Sequence, residues 1–247
     1  MKKRNMFLIL LLTIAIFTAV TVICVAASER REDKCEFGNS IMKPMILDGT
    51  LTAFGDSITA GYTSPKLEIT ENSYIRIFAD KNNMTLNNFS ESSSCLTYSE
   101  EQETTSVYEK VISFSDSTDV IIIAAGINDY SRGRELGDFH DTEPTTFYGA
   151  MRSVCTFLKE NYADETVIFI TPIETTRKFK TSIASLNDYR RAIYEIATEY
   201  GFNVVDGREM GFPSEECAYS ELVMSDGIHP TQKGHEIFAK NLSGVLL

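Results

Sequence analysis

A single doubly wound α/β domain is the fold class that this sequence predicts, on three observations. From about residue 49 onward, short β-rich apolar runs alternate with longer segments of helical pattern, the mark of a parallel sheet flanked by helices. One run, Val120-Ile121-Ile122-Ile123-Ala124-Ala125, is apolar without interruption, as a central strand covered on both faces requires. Between the runs, apolar residues recur at the period of helices that lay one stripe on a core.

Taken in order, strands are expected at Thr50–Phe54, Thr85–Phe89, Val120–Ala125, Thr166–Thr171 and Asn203–Val205. Phe147, Met151, Val154, Cys155, Leu158 and Tyr162 fall on one helical stripe. Leu186, Tyr189, Ile193, Ile196 and Tyr200 fall on another, with Gly201 placed as its C-terminal stop. A last helix runs from about Thr231 to Leu246. Ligands of such sheets bind beyond the carboxyl ends of the strands, so reactive side chains at those ends carry weight.

Ahead of this domain, Lys2, Lys3 and Arg4 precede an apolar run from Met6 to Ala27 broken only by three threonines. A basic flank followed by such a run is an export signal. Either it is cleaved, with Val25-Ala26-Ala27 before Ser28 as the small-residue site, or it stays as an anchor, since 22 residues suffice to span a bilayer. Cys24 follows the bulky Ile23, which argues against lipidation. The positive-inside rule sends everything after residue 28 outward in both cases. Residues 1–28 are therefore signal or anchor, 29–46 a charged and then irregular stalk, and 47–247 the folded domain.

Without the three N-terminal cations, 20 basic residues face 35 acidic ones, a net of −15. Such a surface repels phosphate backbones and excludes a nucleic-acid partner. Contact with a membrane is expected only through the N-terminal segment, if it is uncleaved. Cys35, Cys95, Cys155 and Cys217 lie far apart with no C-x-x-C, and only three histidines are present. No metal site is expected. An oxidising compartment permits disulfides in any of three pairings, while Cys155, on a core stripe, suits a buried free thiol.

Three segments carry chemistry. The first strand runs into Gly55-Asp56-Ser57, which puts a serine just past a carboxyl strand end. Ser57 either acts there as a nucleophile, with the amides of Ile58 and Thr59 facing an oxyanion, or only caps a helix. The third strand ends in Gly126-Ile127-Asn128-Asp129, where Asn128 offers an amide donor to an oxyanion and equally suits a turn. Asp226 and His229 flank Gly227 before the last helix. They supply the base and the orienting carboxylate that serine hydrolysis needs. His140, in a polar insertion, and His235, on the last helix, are expected at the surface.

Gly55-Asp56-Ser57, Gly126-x-Asn128-Asp129 and Asp226-x-x-His229, in this order and spacing, resemble the blocks of the SGNH (GDSL) hydrolase family over residues ~50 to ~245. The resemblance implies a flavodoxin-like three-layer α/β/α sandwich with a five-stranded parallel sheet in the order 2-1-3-4-5. It implies ester hydrolysis through an acyl-enzyme, with no metal and no cofactor. By matching position Ser57 is the nucleophile, His229 the base and then the acid, and Asp226 its orienting carboxylate. Some family members use a backbone carbonyl in place of that aspartate. The oxyanion hole falls to Ser57, Ser93 and Asn128.

One block departs from the family. A glycine usually follows its second strand, whereas this chain reads Asn88-Phe89-Ser90-Glu91-Ser92-Ser93-Ser94-Cys95. Ser93 aligns best, with Ser92 and Ser94 as alternatives. Serine keeps the amide donor but lacks glycine's easy access to positive φ. No G-x-S-x-G is present, which argues against an α/β-hydrolase.

The substrate is expected to be a small-molecule or carbohydrate ester. The polar segment 130–146 favours deacetylation of an extracellular carbohydrate over a lysophospholipase or lipase-like activity. A non-catalytic surface binding module is the alternative from another class, favoured only by the missing glycine.

Overall fold

The computed structural model describes residues 37–42, 45–64, 66–101, 103–177, 179–210 and 226–247. The apolar run at 6–27, Cys35 and Cys217 lie outside the described residues. Among the described residues no helix is long and apolar enough to cross a membrane.

Alternation along the strands sets the layers. The chain runs β1 (Thr50–Gly55), α1 (Ser57–Ala60), β2 (Tyr62–Thr63), β3 (Glu68–Ile69), α2 (Tyr74–Lys81), β4 (Thr85–Asn88), α3 (Val107–Ile112) and β5 (Val120–Ala124). It continues with α4 (Ile127–Arg132), α5 (Phe147–Asn161), β6 (Thr166–Ile170), α6 (Leu186–Glu199), β7 (Asn203–Val205) and α7 (Gln232–Leu246). Phe54, Ile121, Ile123, Val167, Phe169 and Val204 point to one face of the sheet, under α3, α5 and α6. Leu51, Ala53, Val120, Ile122, Ile168, Ile170 and Val205 point to the other, under α2 and α7. Each large aliphatic side chain so buried contributes roughly 1.5–3 kcal/mol.

Five strands pair in the order β4-β1-β5-β6-β7, every neighbour parallel. Counted within the sheet, that is 2-1-3-4-5, the expected order. The strands and the three long helices fall within a residue or two of expectation. The short helices α2 and α3 and the two-stranded β2–β3 hairpin add to it. Ser73 and Ser106 accept from the amides that open α2 and α3, which is local capping chemistry.

Part of the segment expected as stalk belongs to the fold. Ser40 bridges Val204 in antiparallel fashion, with 2.8 Å bonds both ways. The Asn39 side chain accepts from the Asp206 amide, and Asn203 accepts from that of Met42. This segment covers the outer edge of β7, an edge that would otherwise offer unpaired amides to another chain.

Candidate active site

The turn after β1 has no room for a side chain at Gly55. A methyl group there would come within 2.7 Å of both the Ala124 carbonyl and Thr59 Oγ1. The next residue settles what Ser57 does not do. Asp56, not Ser57, caps α1: its Oδ1 accepts from the Ile58 amide at 2.9 Å. The capping role considered for Ser57 is thus filled by its neighbour. The Ile58 amide, expected to face an oxyanion, is taken by the same carboxylate. Ser57 Oγ lies 2.8 Å from His229 Nε2.

Burial pushes the Asp56 carboxyl up to about 7, aided by the nearby charge of Asp129 and opposed by the Ile58 amide. Its cap is therefore a dipole as much as a charge near neutral pH.

The base loop is built almost entirely from its own four residues and one neighbouring segment. His229 Nδ1 meets Asp226 Oδ2 at 2.6 Å, while Asp226 Oδ1 accepts from the amides of Ile228 and His229 at 3.0 Å each. Burial raises the Asp226 carboxyl, but the ring of His229 and those two amides outweigh it and hold the group below the usual carboxylate range. Gly227 sits at φ +78°, and a methyl group on it would come within 2.8 Å of Thr176 Oγ1. Only glycine reaches that geometry without strain. Its carbonyl accepts from Thr175 Oγ1 and the Thr176 amide. Arg190 of α6, buried, holds that segment through the carbonyls of Pro172 and Ile173 and an ion pair with Glu174.

The segment carrying Ser93 is secured differently. Its start is tied to β1, the Phe89 amide donating to Ala53 and the Glu91 amide to Gly55, the residue two before Ser57. Ser93 adopts φ +69°, the left-handed region that favours glycine. Asn128 Nδ2 donates to the Ser94 carbonyl at 3.0 Å, which leaves the second hydrogen of that amide free of this bond. Asp129, fully buried, accepts from the amides of Leu96 and Thr97 and from Thr97 Oγ1 at 2.8–3.0 Å. Burial raises its carboxyl, and these three donors act against that rise. Asp129 was legible only as part of a motif. Its grip on residues 96 and 97, over thirty positions away, leaves no trace in local sequence.

His235 corrects an expectation: it is not at the surface but fully buried. Its Nδ1 accepts from the Tyr74 amide, so Nε2 carries the hydrogen donated to the Tyr62 carbonyl, each at 3.2 Å. Burial lowers its pKa to about 4, and it stays neutral. Tyr62 in turn faces the His229 ring, centroids 6.4 Å apart, and the Ser64 amide donates to the Pro230 carbonyl. His235 thus shores up the base loop from below. His140 is exposed as expected. Cys95 and Cys155 are buried free thiols, as expected of Cys155. Among the described residues no cluster of His, Cys, Asp or Glu is arranged to hold a metal ion.

A hydroxyl, an imidazole and a carboxylate in one hydrogen-bonded line, at the carboxyl edge of a parallel sheet, define the serine hydrolase class. The model of the GDSL-like lipase/acylhydrolase family matches residues 53–237, so the chain belongs to that family and is a serine ester hydrolase. Solved structures share the fold. A protein from Lactobacillus plantarum is 24% identical with a TM-score of 0.70, over 81% of this chain and 97% of that one. A member of the lipolytic G-D-S-L family from Veillonella parvula is 18% identical, TM-score 0.54, over 80% and 97%. A salicylyl-acyltransferase of a tetracycline biosynthetic pathway is 17% identical, TM-score 0.57, over 78% of this chain and 52% of that one. The search of curated proteins gave no match.

Proposed function

We propose that the chain hydrolyses carboxylic esters through an acyl-enzyme on Ser57, and that its natural substrate is an acetylated extracellular carbohydrate. The observation that carries the mechanism is the unbroken line Ser57 Oγ–His229 Nε2–Asp226 at 2.8 and 2.6 Å. In the first half-reaction His229 Nε2 takes the Ser57 proton as Oγ attacks the acyl carbon. The resulting oxyanion is met by the Ser57 and Ser93 amides and by Asn128 Nδ2. His229 then returns the proton to the leaving alcohol. In the second half the same base activates water, and the acid product leaves.

Asp226, held ionised by its donors, keeps the imidazole in the tautomer whose Nε2 faces Ser57. The left-handed backbone at Ser93 supports its standing in for the family's glycine. The carbohydrate preference draws on the polar segment 130–146, and the extracytoplasmic setting on the basic flank and apolar run at residues 2–27.

The test is hydrolysis of p-nitrophenyl acetate by the full-length protein beside Ser57→Ala. Turnover by the wild type, reduced by roughly 10⁴-fold or more in the variant, is the expected result. No wild-type turnover, or turnover that survives the substitution, overturns the proposal. Acetylated oligosaccharides set against p-nitrophenyl esters of rising chain length then test the substrate class.

A further inference from the structure

Ser93 occupies a backbone conformation that its side chain disfavours, and the surroundings of its turn show what holds it there. The Ser94 amide donates to the Glu91 carbonyl at 3.2 Å, which closes a four-residue turn with Ser93 at the third position. A positive φ at that position is type II geometry and favours glycine. A serine there leaves the left-handed region unless its neighbours over-determine it.

One cation grips both ends of that turn. Lys110 Nζ donates to Glu91 Oε2 at 2.8 Å and to Ser94 Oγ at 3.2 Å, so it spans Ser92 and Ser93 from outside. Ser94 Oγ gives its own hydrogen to the Thr105 carbonyl at 2.9 Å, which leaves a lone pair for the ammonium. The Lys110 side chain is largely enclosed, while that of Glu91 is half-exposed. The lysine comes from α3, whose Val107 and Tyr108 amides donate to the carbonyls of Cys95 and Leu96 just past the turn. A capping box between Ser106 and Glu109 fixes the first turn of that helix. Lys110 is therefore delivered from a platform that is itself docked on the segment it grips.

The turn borders the reacting groups on two sides. Its first residue, Glu91, donates its amide to the Gly55 carbonyl, two positions before Ser57. Its last, Ser94, accepts from Asn128 Nδ2 at its carbonyl. By contrast, the exposed pairs Arg76–Asp80 and Arg191–Asp188 each lie within one helix, where such a pair contributes little.

We propose that Lys110 is a positioning residue for the oxyanion hole: by joining Glu91 to Ser94, its ammonium holds Ser93 in the left-handed backbone that presents its amide to the developing oxyanion. This rests on the ester-hydrolase mechanism proposed above, with the Ser93 amide as a donor. Lys110 touches neither substrate nor the reacting atoms in this scheme, and it acts through the turn.

The experiment measures kcat and KM of the full-length protein and its variants for p-nitrophenyl acetate. Lys110→Met keeps most of the stem and removes the ammonium. Its kcat should fall about tenfold, the scale of releasing a residue other than glycine from the left-handed region, with KM little changed. Adding Ser93→Gly to that variant should return kcat to within about threefold of wild type, because glycine reaches the same φ without being held. Glu91→Ala removes the exposed half of the clamp and stands outside α3. It should lower kcat in the same way and be rescued by the same glycine, so the test survives if Lys110→Met folds poorly. Lys159→Met, at an exposed position late in α5, should leave kcat at its wild-type value.

An unchanged kcat in Lys110→Met, a loss confined to KM, or a loss that Ser93→Gly does not recover would overturn the assignment and reduce Lys110 to a surface ion pair. Absence of wild-type turnover, or turnover that survives Ser57→Ala, would instead indict the ester-hydrolase mechanism, so the two failures are separable.

Discussion

The base loop and the segment proposed to carry the oxyanion donor are built in opposite ways. Residues 226–229 are a short loop whose carboxylate is gripped by amides two and three positions away. Residues 89–97 are held from a distance, by strand β1 at one end and by Asn128 and Asp129 at the other. A locally closed loop tolerates little change in its own residues. A remotely held segment can absorb a foreign residue, as it does at Ser93, because the hydrogen bonds around it over-determine its backbone. The strain at such a position costs of order 1 kcal/mol and persists when the surroundings pay it back.

Four outcomes would break or sharpen this contrast. Asp226→Asn keeps the shape of the base loop but supplies an amide where His229 needs a carboxylate. We expect kcat for p-nitrophenyl acetate to fall by about 10⁴, and a drop under tenfold would show that a backbone carbonyl can orient the histidine instead. Asn128→Ala removes the proposed oxyanion donor together with one tie to Ser94. Here the expected loss is ~10²–10³ in kcat, with KM little changed, and a pure KM effect would remove Asn128 from the oxyanion hole.

The third outcome concerns the support beneath the base loop. His235 has a folded-state pKa of about 4, below the ordinary value near 6.5, so below pH 6.5 the unfolded chain binds a proton that the folded one refuses. Its contribution to stability is present above pH 6.5 and is lost as pH falls towards 4. About 3 kcal/mol should disappear across that window, and His235→Gln should lack this slope. Urea midpoints of both proteins at pH 4.5 to 7.5 read the difference, and parallel curves would contradict the buried neutral histidine.

The smallest effect is expected of Ser93→Gly. Relief of left-handed strain and the added freedom of the unfolded chain offset each other to within ~0.5 kcal/mol. Activity should stay within about threefold of wild type. A tenfold gain would mean that serine impairs the oxyanion hole and that the segment is less over-determined than its hydrogen bonds suggest.

The same contrast explains what could be read from the residues. Strand positions and the long helices follow from apolar period and local stop signals, which are near-neighbour properties, and Val120–Ala124 is the plainest instance, whereas the sheet order is implied by the family resemblance. Asp226 and His229 were legible because their pairing spans three residues. Taken alone Ser57 suits a nucleophile or a helix cap, and its companion motifs favour the nucleophile; the structure gives the cap of α1 to Asp56, a matter of which of two adjacent side chains turns back on the helix.

Burial and long-range pairing are where sequence alone fell short. His235 looks like a surface residue on an amphipathic helix, yet packing of α7 against α2 encloses it with the Tyr74 amide and the Tyr62 carbonyl. The seating of Phe37–Met42 on β7 depends on polar groups some 160 residues away, with no local apolar pattern to announce it.

The sequence by itself determined the fold class, the serine, the histidine and its aspartate, because periodicity and short-range spacing write them into the chain. The tertiary structure decided the conformation of Ser93, the grip of Asp129 and the burial of His235. Each of these is set by which distant backbone groups remain to be satisfied once the sheet has closed, and no local run of residues encodes that.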